Sequence, residues 1–272
     1  MNRNFLILII SFAFCLCTYG QTYKMDFGKA LKDKDMTKAE EILKAWDYAD
    51  ANDSELYPCY FNFYTIKSLE KDSTVFDKAY ATKALEYISE GIERFPTRFD
   101  MRVLKIYMLS HLKDYTNYTN EILKMINYSK KIDNNWKGEG FSILDSPLEI
   151  FSDAIMEFQE ILYTENNIAL HNNILQISIE MLKNYPKHIQ SLLNVSTIHF
   201  YRKEYNKSLE ILNNAVKIDP NNAILYYNLA HIYSTTGDKA NAKKNYEFTV
   251  AKAKEDEKPF KDAAQKKLDG LK

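Results

Sequence analysis

The strongest constraint on this chain is a recurrence. Lys217-Ile218-Asp219-Pro220 and Asn184-Tyr185-Pro186 each end a run of helix-forming residues, and the two prolines lie 34 residues apart. A third run ends in the same way at Glu93-Arg94-Phe95-Pro96. Proline lacks an N–H and disfavours α geometry in the residue before it, so it belongs just past a helix end. Self-similarity at a period of 20–50 residues is the mark of a repeat architecture and decides the fold before any single motif does.

Within each period the apolar spacing is that of two helices. Leu192, Val195, Ser196 and His199 answer to Tyr226, Leu229, Ala230 and Tyr233, each set on one helical face. After a break at Lys203-Glu204 or Gly237-Asp238, Ser208, Leu212 and Ala215 answer to Ala242, Tyr246 and Thr249. Small residues at 208 and 242 let the two helices of a hairpin approach closely. Gly237 supplies the permissive backbone that a helix C-terminus prefers, and Lys203 fills the same slot in the repeat before.

Weaker units precede these. Ala39, Ile42, Leu43 and Trp46 share a face after Thr37, a candidate N-cap. Ala84, Ile88 and Ile92 read as a second helix before Pro96, and Met101, Leu104 and Met108 begin a hairpin that turns at Lys113-Asp114. Helices near 148–164 and 168–184 follow. The fold class is therefore all-α: an α-α superhelix of about six helical hairpins, closed by a final helix at 257–271. That last helix carries Phe260, Ala263, Ala264 and Leu268 on one face and a polar back, as the end of a solenoid requires. With only 7 Gly and 6 Pro, the chain has too few turn formers for an all-β sandwich.

The pattern resembles the tetratricopeptide repeat family. Tyr226, Leu229-Ala230, Tyr233, Gly237-Asp238 and Ala242 match its profile in the last repeat, and Ser208, Ala215 and Pro220 carry the match in the one before. The resemblance is clearest over 189–222 and 223–256 and weaker upstream. It implies a groove, lined by the first helix of each hairpin, that holds a peptide or a partner's helix. The family's groove positions fall on Leu193, Asn194, Thr197 and Phe200, and on Tyr227, Asn228, His231 and Ser234. Asn194 and Asn228 are the foremost candidates, because an amide both donates to and accepts from a main chain; hydrogen bonding within the repeat is the alternative role for them. Relatives that clamp a C-terminal carboxylate use Lys or Arg near these slots. Leu193 and Tyr227 stand there instead, so that mode is not expected at this groove.

The N-terminus reads as an address. Arg3 precedes an apolar stretch from Phe5 to Cys17, and Thr18-Tyr19-Gly20 sets small residues three and one places before Gln21. This is the form of a secretory signal peptide over 1–20. The apolar stretch is shorter than the ~20 residues that span a bilayer, although an uncleaved anchor is the competing reading. Phe14 and Leu16 precede Cys15 and Cys17, and both are too bulky for a lipid-attachment site of the ordinary kind. The expected location is exported, periplasmic or extracellular, with no transmembrane span left after cleavage. Cleavage leaves one cysteine, Cys59, set among Tyr57, Pro58, Tyr60 and Phe61, which reads as a small buried hydrophobe.

The mature chain divides into N-terminal degenerate hairpins over 21–130, an irregular insertion at 131–147 and C-terminal hairpins over 148–272. The insertion holds Trp136, Gly138, Gly140 and Phe141. Trp136 and Phe141 either plug the junction between two sets of hairpins or form an aromatic platform for a sugar or peptide.

A formal charge of −1 removes the simplest case for nucleic acid, which demands a strong basic excess. The five histidines, His111, His171, His188, His199 and His231, show no H-E-x-x-H or zinc spacing, and no G-x-S-x-G elbow is present. His199 stands where a packing aromatic belongs. Asp145 and Glu149 lie at a spacing that could flank a sugar, in a chain where carboxylates are frequent. The expectation is a non-enzymatic scaffold that binds another protein or peptide and takes no metal or cofactor. A glycan-binding accessory protein using the insertion is the second reading, and an enzyme centred on the insertion the third.

Overall fold

A computed structural model describes residues 19–69 and 76–270. The positive and apolar segments of the expected leader, with Cys15 and Cys17, lie outside the described residues. Thirteen α-helices occur among those described: α1 (Tyr19–Lys32), α2 (Met36–Asp50), α3 (Leu56–Leu69), α4 (Lys78–Arg94), α5 (Phe99–His111), α6 (Tyr115–Lys131), α7 (Pro147–Thr164), α8 (His171–Asn184), α9 (Ile189–Tyr201), α10 (Tyr205–Ile218), α11 (Ala223–Thr235), α12 (Lys239–Lys252) and α13 (Lys258–Asp269). They pair in chain order as six helical hairpins with α13 left over, as the sequence predicts. The chain divides into two compact units, Met1–Ala154 and Ile155–Lys272, with the boundary inside α7.

Four of the hairpins close on the same turn. Lys34, Lys113, Lys203 and Gly237 each adopt a left-handed backbone, with φ of 58, 56, 61 and 85°. In each case the next residue sends its N–H back five positions to a helix carbonyl: Asp35 to Ala30, Asp114 to Leu109, Glu204 to His199 and Asp238 to Tyr233. These bonds satisfy carbonyls that the ending helix would otherwise leave orphaned. Three of the four next residues are aspartates whose side chains then cap the second helix, accepting from the N–H of Lys38, Asn117 and Asn241. Asp35 thus starts α2 in place of the expected Thr37. Glu204, one methylene longer, makes no such cap and turns instead toward the ring of His199.

In the first unit the core is aromatic. Trp46 on α2, Phe61 and Phe63 on α3 and Ala81, Ala84 and Ile88 on α4 are fully buried. Tyr60 and Tyr87 stack at 4.1 Å across α3 and α4. Gly91 permits this approach, since a Cβ there would lie 2.6 Å from Tyr57 Cβ and 3.0 Å from Met101 Sδ. Cys59 is buried in the same core, and burial pushes its thiol up to about 12.

In the second unit small residues bring the helices together. Ser196 on α9 faces Ser208 on α10, and Ala230 on α11 and Ala242 on α12 hold the equivalent places one period later, all four buried. Ala264 of α13 lies 34 residues beyond Ala230 and packs into the same cluster with Tyr246. Helix α13 therefore sits as one more first helix in the series.

Candidate functional site

Two places carry the sequence-derived candidates, one in each unit. In the second unit α9 and α11 begin just past Pro186 and Pro220. His188 caps α9 by accepting from Ser191 N–H at 3.2 Å, and Asn222 caps α11 by accepting from Ile224 N–H at 3.1 Å. These caps fix where each helix starts and so which side chains share a face.

The eight expected groove residues do not all reach the surface. Leu193 is buried in the hairpin core, and Asn194 is only 5% exposed with its Oδ1 accepting from Gln190 at 3.2 Å. Asn228 is half-buried and its Nδ2 donates to the Ile224 carbonyl at 2.8 Å. Both amides therefore bond within their own helices, which corrects Asn194 as a foremost contact. Thr197, Phe200, Tyr227 and His231 are half-buried and Ser234 is exposed. Phe200 and His231 meet at 5.0 Å between ring centroids, joining the faces of α9 and α11. Tyr227 packs edge-on against Phe260 of α13 at 5.4 Å and against Tyr246 at 5.9 Å.

What the sequence reading missed is the part played by α13, which it treated as a cap alone. Phe260 reaches Tyr227, and the charge of Lys267 acts on His231. Burial first, and Lys267 second, hold the His231 imidazole below its ordinary pKa, so the ring is neutral at pH 7. Continuing the 34-residue spacing by one more step would have revealed this arrangement. His199 is half-buried, and its ring hydrogen-bonds to Glu204 at the turn where the sequence suggested packing alone.

In the first unit the insertion is locked down. Trp136 is 1% exposed, within 5.6 Å of Phe99 and 6.4 Å of Phe151 by ring centroid, and under the guanidinium of Arg102 at 5.5 Å. Its indole N–H donates to Ser129 Oγ at 2.9 Å. Main-chain bonds from Lys137 N–H to Thr97 O and from Phe99 N–H to Lys137 O, both 2.9 Å, stitch the insertion to the start of α5. A side chain so enclosed plugs the core and offers no stacking face, which corrects the platform reading at Trp136. The side chain of Phe141 lies outside the described ones.

Beside this plug is a cluster that the sequence did not announce. Arg98 is fully buried and forks onto Asp100 at 2.8 and 2.7 Å, while its Nη1 donates to Glu55 at 2.6 Å and Ser54 at 2.8 Å. Lys24 binds both Glu55 and Glu139, and Gly140 N–H donates to Glu55 at 2.8 Å. Burial alone would raise the Glu55 carboxyl, but the charges of Arg98 and Lys24 and their hydrogen bonds hold it below its ordinary value. Apart from Asp100, which lies two residues from Arg98, these partners come from positions 31 to 115 residues apart, so no local pattern could point to them.

Among the described residues no group of three His, Cys, Asp or Glu is placed to hold a metal ion, and no helix is long and apolar enough to cross a membrane.

Comparison with known families gives a match to the TPR repeat over residues 197–237, which runs from α9 through the turn after α11. No curated protein matches the sequence. Among solved structures, the chain is similar to a tetratricopeptide repeat protein from Parabacteroides merdae ATCC 43184 at 16% identity, covering 92% of this chain and 93% of that one, with a TM-score of 0.39. It is similar to MamA from Desulfovibrio magneticus RS-1 at 13% identity, covering 71% and 94%, with a TM-score of 0.40. YrrB, described as a TPR protein with an unusual peptide-binding site, is 14% identical over 75% of this chain and 88% of its own, with a TM-score of 0.38. The chain thus carries a tetratricopeptide repeat over residues 197–237, and two hairpins upstream of it, those turning at Lys34 and Lys113, close in the same way.

Proposed function

We propose that the protein is an exported, non-catalytic adaptor that holds a segment of a partner protein against the face of α9 and α11. The observation that carries this reading is the Phe200–His231 contact, which makes one continuous strip from two successive first helices. Thr197, Phe200, Tyr227, Asn228 and Ser234 border that strip and offer apolar area with hydroxyl and amide groups beside it. Aromatic side chains suit such a surface because they bury much area while losing little rotamer freedom, and they dominate binding energy where they occur. A helix or extended segment presents side chains at regular intervals, which fits matched positions on neighbouring helices. Export is supported by Arg3, the apolar stretch 5–17 and the small residues at 18 and 20.

The test is capture of partner protein from an envelope extract by the wild type and by Phe200→Ala/Asn228→Ala. Loss of the captured partner in the variant is expected, and unchanged capture would refute this face. Export is checked by fusing residues 1–20 to a reporter active only outside the cytoplasm; an inactive fusion would refute it.

A further inference from the structure

At the end of the strip, where Ser234 stands, a pocket of about 440 Å³ opens between α11, α12 and α13. That volume is within the range of ~300–1,000 Å³ in which small groups are bound. Its lining among the described residues is Ser234, Tyr246, Ala263, Lys266, Lys267 and Gly270, and it includes no carboxylate. Tyr246 is 1% exposed, and among the described residues its buried hydroxyl has no partner at full hydrogen-bond distance and angle; Ser234 is the polar side chain beside it and acts on the phenol from that position. A buried phenol that has lost water and gained no partner costs free energy, so an unfilled donor at a pocket wall calls for an acceptor.

The charge agrees. Lys266 and Lys267 form no ion pair among the described residues, and Lys267 acts on His231 as an unneutralised cation. The carbonyl end of α13 contributes about half a negative charge near Gly270. Two full ammonium charges outweigh it. The pocket thus combines two cations with two hydroxyl donors.

We infer that this pocket receives the carboxylate of an acidic side chain on the partner segment, with Tyr246 Oη and Ser234 Oγ donating and Lys266 and Lys267 supplying the charge. The inference rests on the face proposed above for the location of that segment, and it names the chemistry the segment must bring. Carboxylate is the assignment because the site is open to an aliphatic stem along Ala263 and Gly270 and because single-charge oxygen acceptors match two hydroxyl donors.

The test titrates the purified protein with propionate, the side chain of glutamate, and with propionamide, its neutral counterpart. The readout is the amide signals of Ser234 and Gly270 in the isotope-labelled chain. Saturable shifts with propionate and none with propionamide are expected. Lys266→Ala/Lys267→Ala should weaken propionate by about tenfold or more, and Tyr246→Phe by about threefold to tenfold, as loss of charge-assisted hydrogen bonds does. Raising the salt to 1 M should mimic the lysine variant. The inference is overturned by no saturable shift, by equal shifts in the lysine variant, or by equal binding of propionamide. Inorganic phosphate binding more than tenfold tighter than propionate would overturn the carboxylate assignment. Failure here leaves partner capture through Phe200 and Asn228 intact, so the two readings fail separately.

Discussion

Ser196 and Ser208 face each other across α9 and α10 with their hydroxyl oxygens 2.7 Å apart, and Ser208 also donates to the Ser196 carbonyl at 2.9 Å. The next repeat fills the same two places with Ala230 and Ala242, which need no such bonds. The serines therefore serve closeness first and hydrogen bonding second. Ser208→Ala should cost about 1 kcal/mol, and Ser196→Ala/Ser208→Ala less than the sum of the single changes, because each single change already removes the bond that the two hydroxyls share. Ser208→Leu should cost about 3 kcal/mol or more by forcing the helices apart. Urea unfolding of the four variants decides between these, and a neutral Ser208→Leu would contradict close packing here.

Lys113 and Lys203 hold left-handed backbone that favours glycine, while Gly237 already has it. Lys113→Gly and Lys203→Gly should each raise stability by about 0.5–1 kcal/mol, and Gly237→Ala should lower it by about 1 kcal/mol. Melting temperatures read this directly. A destabilised Lys203→Gly would show that the lysine side chain matters more than its backbone.

Arg98 anchors two carboxylates, so Arg98→Ala should cost about 3–5 kcal/mol by leaving Asp100 without its cation and Glu55 with Lys24 alone. The same cluster predicts a pH dependence. Glu55 has its folded pKa depressed below an ordinary value of about 4.3, so its contribution is complete above that pH. It is lost as the pH falls through the lower folded value. Unfolding midpoints measured from pH 6 to 3 should therefore drop steeply in the wild type and less in Glu55→Gln.

Trp136→Ala should cost about 3–5 kcal/mol, as for other enclosed aromatic side chains. It should also free the 137–146 segment for limited proteolysis. Cleavage there at the wild-type rate would mean that the main-chain bonds to Thr97 and Phe99 hold the insertion without the indole.

Cys59 should resist maleimide in the folded protein, since its thiol is buried and pushed up to about 12, and should react once denaturant is added. Peptide mass mapping follows this one site.

The hairpins were legible because their signals are local. Lys203-Glu204 and Gly237-Asp238 mark turns, Pro96, Pro186 and Pro220 mark ends, and small residues at 208 and 242 mark close contacts, each within one period. The insertion was legible only as an interruption, because the burial of Trp136 depends on Phe99, Arg102 and Phe151 arriving from two helices. The groove residues came from family positions, which give a helix face and not depth; Asn194 proves to be buried at 5% exposure. Tyr246 reads as a packing aromatic in any repeat, and only the lysines of α13 beside it make its hydroxyl informative.

The ties from Lys24 to Glu139 and from Glu55 to Gly140 span 115 and 85 residues. Repeat arrays ordinarily touch only next neighbours and can peel from an end, one unit at a time. Here α1, the first described helix of the first unit, is buckled to a segment beyond its third hairpin, as a strap closes on itself. Under load or denaturant those three hairpins should give way together, whereas 155–272, with no such buckle among its described bonds, is free to unzip from its tail.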